Sequence, residues 1–137
     1  MAGSTSGFPL CYGCGPENPI GFKLEVRQEN GETLASFTPG PYHSGFTEMV
    51  HGGVLCALLD EVMVYLPFLR GLKSVTGKME VRFRRPARPG EPLQIRGRVL
   101  KQRPRAIQAQ GIITNGAGEI VAEGQALFYI LGKYEEA

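Results

Sequence analysis

From Val54 to Leu66 every residue is apolar except Asp60 and Glu61. On a helical wheel these side chains cover all faces, and a helix without a polar face has to be enclosed by the rest of its fold. Pro67 follows at once, so the helix is predicted to end there. The remaining chain must therefore supply a wrapping layer, and most of it has the two-residue period of strands. Phe22-Lys-Leu-Glu-Val-Arg27 alternates apolar and polar residues, and Asn30-Gly31 is a two-residue hairpin turn into a second strand, Thr33 to Phe37. After the helix, Met79 to Arg84 alternates, Pro86 to Gly90 turns, and Leu93, Ile95, Gly97 and Val99 keep the period. Another run spans Ala106 to Thr114. The last, Ile120 to Leu131, puts Ile120, Ala122, Gly124, Ala126, Phe128 and Ile130 on one face. Two strands, one buried helix and four strands make an α+β fold, in its simplest form an antiparallel sheet curled around the helix. Between Thr38 and Val50, Pro39, Gly40, Pro41 and Gly45 break the pattern, and a loop of that length is often functional.

The 137 residues suffice for one domain, 1–137, with a core that needs no staples; residues 1–10, beginning with the small and polar Met1 to Gly7, are expected to be flexible. The net charge of +2 is too small to call for nucleic acid, although most Lys and Arg lie between Lys78 and Arg105. No opening segment resembles a targeting signal, and no run reads as apolar for long enough to span a bilayer. The cysteines are Cys11, Cys14 and Cys56, and an odd count points to a reducing cytosol. Cys11-Tyr-Gly-Cys14 could be half of a zinc site, but no second C-x-x-C or paired histidine follows. Gly13, Gly15 and Pro16 replace the strand-to-helix setting of a redox motif, so structural thiols, with no metal and no cofactor, are the expectation.

The buried helix holds the chemical anomaly. An ionised carboxylate out of water costs several kcal/mol unless it is paired or neutralised. Asp60 and Glu61 are consecutive, hence about 100° apart, and should meet different surroundings. The plain account is that one reaches solvent or pairs with an arginine such as Arg82. At the helix start, His51-Gly52-Gly53 leaves backbone N–H groups open to close approach, and such donors suit an oxyanion; alternatively the glycines only allow tight packing. Gly52 and Asp60 are about 12 Å apart along a straight helix, too far to act on one atom. Two antiparallel copies could bring one copy's Gly52 beside the other's Asp60, so a site built from both should be shared across a twofold dimer.

His51-Gly-Gly-Val-Leu-Cys-Ala-Leu-Leu-Asp60 resembles the HGG-x6-D helix of the PaaI-type acyl-CoA thioesterases, within the hotdog-fold 4-hydroxybenzoyl-CoA thioesterase superfamily. Cys11-Tyr-Gly-Cys-Gly-Pro-Glu-Asn-Pro-Ile-Gly21 resembles the C-x-x-C-G-x-x-N-P-x-G opening of one branch. Arg85-Pro-Ala-Arg-Pro-Gly90 resembles its strand-connecting turn, and Val99-Leu-Lys-Gln102 the stretch before its CoA-binding loop. The resemblance implies a hotdog fold and hydrolysis of acyl-CoA to free acid and CoA by a homodimer or homotetramer, with CoA as part of the substrate. It implies that the Gly52 N–H polarises the thioester carbonyl, His51 shapes the turn, and Asp60 of the partner subunit is base or nucleophile. Thr76 matches a Ser or Thr that helps hold the attacking water. His43, Gly53 and Glu61 are further substrate-binding candidates, and Arg84, Arg85, Lys101, Arg103 and Arg105 lie where relatives bind the CoA nucleotide. The sequence departs from the family at Gly45, where many members carry Asn, and at His43-Ser-Gly45 and Thr47-Glu48, where the branch reads His-Gln-Gly and Pro-Gly. Two other functions compete: a hotdog enoyl-CoA hydratase or dehydratase using His43, and a non-catalytic acyl-CoA-binding module.

Overall fold

The computed structural model describes residues 8–46 and 48–134; Met1 to Gly7, Thr47 and Glu135 to Ala137 lie outside the described residues. It contains β1 (Arg27–Glu29), β2 (Glu32–Phe37), α1 (Gly52–Leu69), β3 (Leu72–Phe83), β4 (Leu93–Arg103), β5 (Ala106–Thr114) and β6 (Ile120–Lys133), with a short 3-10 turn at Pro41–His43. The strands form one antiparallel sheet in the order β1-β2-β4-β5-β6-β3. Packed against one face of it, α1 touches β2 to β6, which buries half of the helix.

A row of small residues sets how closely the helix approaches. Thr33 pairs with Gly97, Gly97 with Gly111, and Gly111 with Gly124, across four neighbouring strands. A Cβ on Gly97 would lie 2.8 Å from the Val62 carbonyl oxygen, and one on Gly111 would lie 3.0 Å from Leu59. The fully buried Thr33 hydroxyl donates to that same Val62 carbonyl at 2.6 Å, so the closest approach leaves no polar group unpaired. Leu58, Leu59, Val62, Met63 and Leu66 are fully enclosed above Leu93, Ile95, Ile113 and Phe128, and each such side chain stabilises the fold by about 1.5–3 kcal/mol.

Four expectations change. Pro67 does not end the helix: α1 continues to Leu69, and the chain turns out at Arg70 and at Gly71, whose φ is +75°. A proline in the last turn removes one backbone donor only, and its own carbonyl still accepts from Arg70 N–H at 3.0 Å. The alternation Phe22–Leu24–Val26 is correct in burial, yet only Arg27–Glu29 pairs with β2. The N–H groups of Phe22 and Leu24 donate instead to the carbonyls of Tyr12 and Gly13, docking this segment on the C-x-x-C loop. Residues 8–10 are held rather than loose: Phe8 packs edge-on against Phe68, and Glu17 N–H and Asn18 Nδ2 donate to the carbonyls of Pro9 and Leu10. Finally, with Gly52, Gly53 and Leu69 included, α1 is an 18-residue helix of mean hydropathy 1.7, apolar and long enough by that measure to cross a membrane. Half of that stretch is buried against the sheet, which accounts for the apolar character of the buried half.

The last strand before the basic region also starts earlier than its alternation suggests. In β3 a bulge between Thr76 and Lys78 leaves Gly77 unpaired, under the Tyr129 ring. The extra residue shifts the parity of the strand, so Thr76, opposite the buried Phe128, and Met79, opposite the buried Ala126, both face the helix.

Candidate active site

At the start of α1, His51 is the N-cap. Its extended backbone ends the preceding loop, and its Nδ1 accepts from the Gly53 N–H at 2.8 Å. Val54 and Leu55 N–H groups return to the His51 carbonyl. Among the described residues the Gly52 N–H finds no acceptor, so it is the donor left for a ligand. The loop before it is fastened by His43, whose carbonyl accepts from His51 N–H at 2.8 Å. The His43 ring stacks among Phe22 and Phe37, and its Nδ1 accepts from Gly40 N–H at 2.9 Å. Both the backbone and one ring nitrogen of His43 thus serve the loop itself, which weakens the case for a hydratase.

Gly52 opens onto a cavity of about 650 Å³ lined by Phe46, Met49, Leu55, Phe83, Arg84 and Arg85 among others. The Phe83 ring lies 3.5 Å from where a Gly52 Cβ would be, an ordinary contact distance that leaves room for one further carbon there. Phe46, 87% exposed, and Phe83, 54% exposed, leave an apolar crevice beside a backbone donor and two guanidinium groups. Arg84 Nε is paired with Glu123 at 2.6 Å and Arg85 Nη1 with Glu119 at 3.4 Å; all four side chains are at least a quarter exposed. Surface pairs of this kind contribute little, so the longer Arg85 contact can be exchanged for a phosphate at small cost.

Two turns along the helix, Asp60 is half-buried, and its Oδ1 accepts from the Thr76 hydroxyl at 2.9 Å. Burial raises its carboxyl above the ordinary range, and the Thr76 hydrogen bond offsets part of that shift. The pair lies at the free edge of the sheet, because among the described residues β3 has β6 on one side and no strand on the other. Arg82 forms no ion pair with it among the described residues. Glu61 points elsewhere, as consecutive helical residues should. It is 8% exposed and hydrogen-bonded to the Cys14 thiol, and burial is the main reason its carboxyl is pushed up.

The structure therefore groups His51, Gly52, Gly53, Arg84 and Arg85 at one end of the helix, and Asp60 with Thr76 at its middle. It does not bring Glu61 to either. Lys101 and Arg103 line a separate surface groove with Lys78 and Glu80. Arg105 sits in the β4–β5 turn, where its carbonyl accepts from Ile130 N–H. Sequence reasoning missed Phe83, because its apolar period assigned it only to a strand face. It also missed the contact of Glu61 with the cysteine pair, although a glutamate inside an all-apolar helix was its signal.

An antiparallel sheet packed on one long central helix, with the Gly52 N–H donor at the helix start and a carboxylate at its middle, defines a hotdog-fold thioester enzyme. The family model described as the thioesterase superfamily matches residues 48–122, and the chain belongs to that superfamily. It is similar to human acyl-coenzyme A thioesterase 13, with 29% identity over 112 residues that cover 80% of each chain. Among solved structures it is similar to a thioesterase superfamily protein at TM-score 0.82 and 26% identity, over 88% of this chain and 60% of that one. The E. coli PaaI protein from the phenylacetic acid degradation operon has the same fold, at TM-score 0.77 and 21% identity over 82% of each chain.

Proposed function

We propose that this protein hydrolyses acyl-CoA thioesters in a site that two copies of the chain complete together. The observation that carries the proposal is the pairing, on one continuous helix, of a Gly52 N–H unpartnered among the described residues with the half-buried Asp60–Thr76 pair about 12 Å further on. Neither end is sufficient alone, since donor and base must both lie about 3 Å from the reacting atoms. The edge of β3 favours a second copy: a 12-residue edge with no strand beside it among the described residues is a template for pairing unless something covers it. Joining two such edges antiparallel would run the two helices in opposite directions and set each Gly52 beside the partner's Asp60. A homodimer is thus the smallest assembly, with a homotetramer the expected extension.

In this site the thioester carbonyl oxygen accepts from the Gly52 N–H, whose helix end favours developing negative charge. Thr76 and Asp60 hold a water, and the Asp60 carboxylate removes its proton as the oxygen attacks the acyl carbon. The tetrahedral oxyanion then collapses, the carbon–sulfur bond breaks, and the departing CoA thiolate recovers a proton, leaving free acid and CoA. The crevice of Phe46, Met49 and Phe83 suits an apolar acyl group, and Arg84 and Arg85 at its rim suit nucleotide phosphates. Three unpaired cysteines fit a reducing compartment, and we assign the protein to the cytoplasm. Purified protein should release free thiol from at least one member of a short-, medium- and aromatic-acyl-CoA panel; no turnover on any of them would refute the reading.

A further inference from the structure

The cysteine pair does not stand alone in the fold. Sγ of Cys11, Sγ of Cys14 and a carboxylate oxygen of Glu61 all lie within 4.8 Å of one another. Cys14 is 2% exposed and Glu61 8%, while Cys11 is half-buried at the rim. We infer that Cys11, Cys14 and Glu61 form a zinc-binding site that fastens the N-terminal segment to the central helix. This departs from the expectation that the thiols are structural and metal-free. That expectation rested on the missing half of the ligand set, of which Glu61 supplies one ligand from the middle of α1.

Several features support a built site. The loop between the cysteines is folded back on itself: Gly15 N–H donates to the Cys11 carbonyl at 2.8 Å, and Cys14 N–H points at Cys11 Sγ at 3.4 Å. A backbone donor aimed at sulfur stabilises a thiolate and fixes its direction, as outer-shell bonds do around metal ligands. The Tyr65 hydroxyl adds a second hydrogen bond, to Cys14. The carboxylate packs directly over Gly13, and a Cβ there would push the Glu61 side chain from its place. No cation from Lys, Arg or His pairs with Glu61 among the described residues, so a buried acidic group faces two thiols and nothing positive.

The donor chemistry selects the ion. Two sulfurs exclude the hard cations, which take oxygen ligands. Zinc bound at about 2.3 Å from sulfur and 2.0 Å from oxygen needs ligand atoms roughly 3.5–3.8 Å apart in a tetrahedron, so small rotations about the side chains close the set. Three protein ligands leave one position free. A cavity of about 110 Å³ beside the cluster, bounded also by Ser74 and Tyr134, has room for a water there.

The full chain, reduced and treated with chelator, is titrated with cobalt(II) and then with zinc. One cobalt per chain should bind with an intense near-ultraviolet thiolate-to-metal absorption, and zinc should displace it. Cys11→Ser and Cys14→Ser should each abolish that absorption, Glu61→Gln should weaken zinc binding at least tenfold, and Cys56→Ser should leave the spectrum unchanged. Since Cys14 and Glu61 are buried and their variants could misfold, the half-buried Cys11→Ser and the wild-type titration decide on their own. Absence of the thiolate band in the reduced wild-type protein overturns the inference, and so does its persistence in Cys11→Ser. A chain that is isolated two mass units light, and that binds no cobalt after reduction, would also overturn it by marking the pair as a disulfide.

Discussion

Asp60→Asn separates chemistry from folding more cleanly than any other single change. The substitution keeps the shape of the side chain, and the amide oxygen can still accept the 2.9 Å hydrogen bond from Thr76. What disappears is the ability to take a proton. A positioned base contributes about 10²–10⁴-fold, so kcat on the best acyl-CoA should fall by at least about 10²-fold. Stability should move the other way. Burial raises the Asp60 pKa, so the folded state disfavours the charged form, and that penalty grows as pH rises through the unfolded and then the folded value. At neutral pH the wild-type chain bears that penalty and the amide variant does not, so the melting temperature of Asp60→Asn should be equal or higher. Steady-state thiol release and thermal unfolding on the same preparation test both halves. Activity within tenfold of wild type would refute Asp60 as the base, and a large fall in melting temperature would refute its description as a destabilised carboxylate.

Thr76→Val removes the one hydrogen bond that lowers the Asp60 pKa, so the acid limb of kcat/KM against pH should shift upward, whereas Thr76→Ser should keep the wild-type limb; pH profiles on chelator-treated protein check this. Gly97→Ala puts a methyl 2.6 Å from Thr33 Oγ1 and 2.8 Å from the Val62 carbonyl. It should cost about 1–3 kcal/mol, read as a fall of several degrees in melting temperature, while Gly116→Ala, in open space, should change nothing. Arg85→Ala should raise KM for acyl-CoA severalfold and leave KM for an acyl-pantetheine thioester, which lacks the nucleotide, unaltered.

The core was legible because its constraint is one-dimensional. A helix apolar on all sides needs a wrapping sheet, and period-two runs at Leu93–Val99, Ala106–Thr114 and Ile120–Leu131 are that sheet. The two halves of the candidate site stood out for a related reason: Asp60 breaks the apolar pattern of the helix, and Gly52 stands at the turn that leads into it. What periodicity could not convey was any event that changes parity or partner. The bulge at Gly77 lets Thr76 reach Asp60 although Met79 also faces inward, and only the pairing of β3 with β6 reveals it. Phe22–Val26 has the burial of a strand without its partner, since the competing acceptors lie ten and eleven residues upstream, at Tyr12 and Gly13. The proximity of Glu61 to Cys11 and Cys14 joins residues about fifty positions apart, and no local spacing encodes it.

The central claim is that the site belongs to two chains, and subunit mixing tests it directly. Gly52→Pro removes the N–H donor at a helix position that accepts proline, after a His51 already in the extended conformation that proline prefers. Asp60→Asn removes the base. Each homodimer should be inactive. In a mixed dimer, an intact Gly52 from one chain meets an intact Asp60 from the other at one of the two sites. After random exchange half the dimers are mixed, so the mixture should regain about a quarter of wild-type activity per chain. A mixture no more active than its two parents would contradict the shared site.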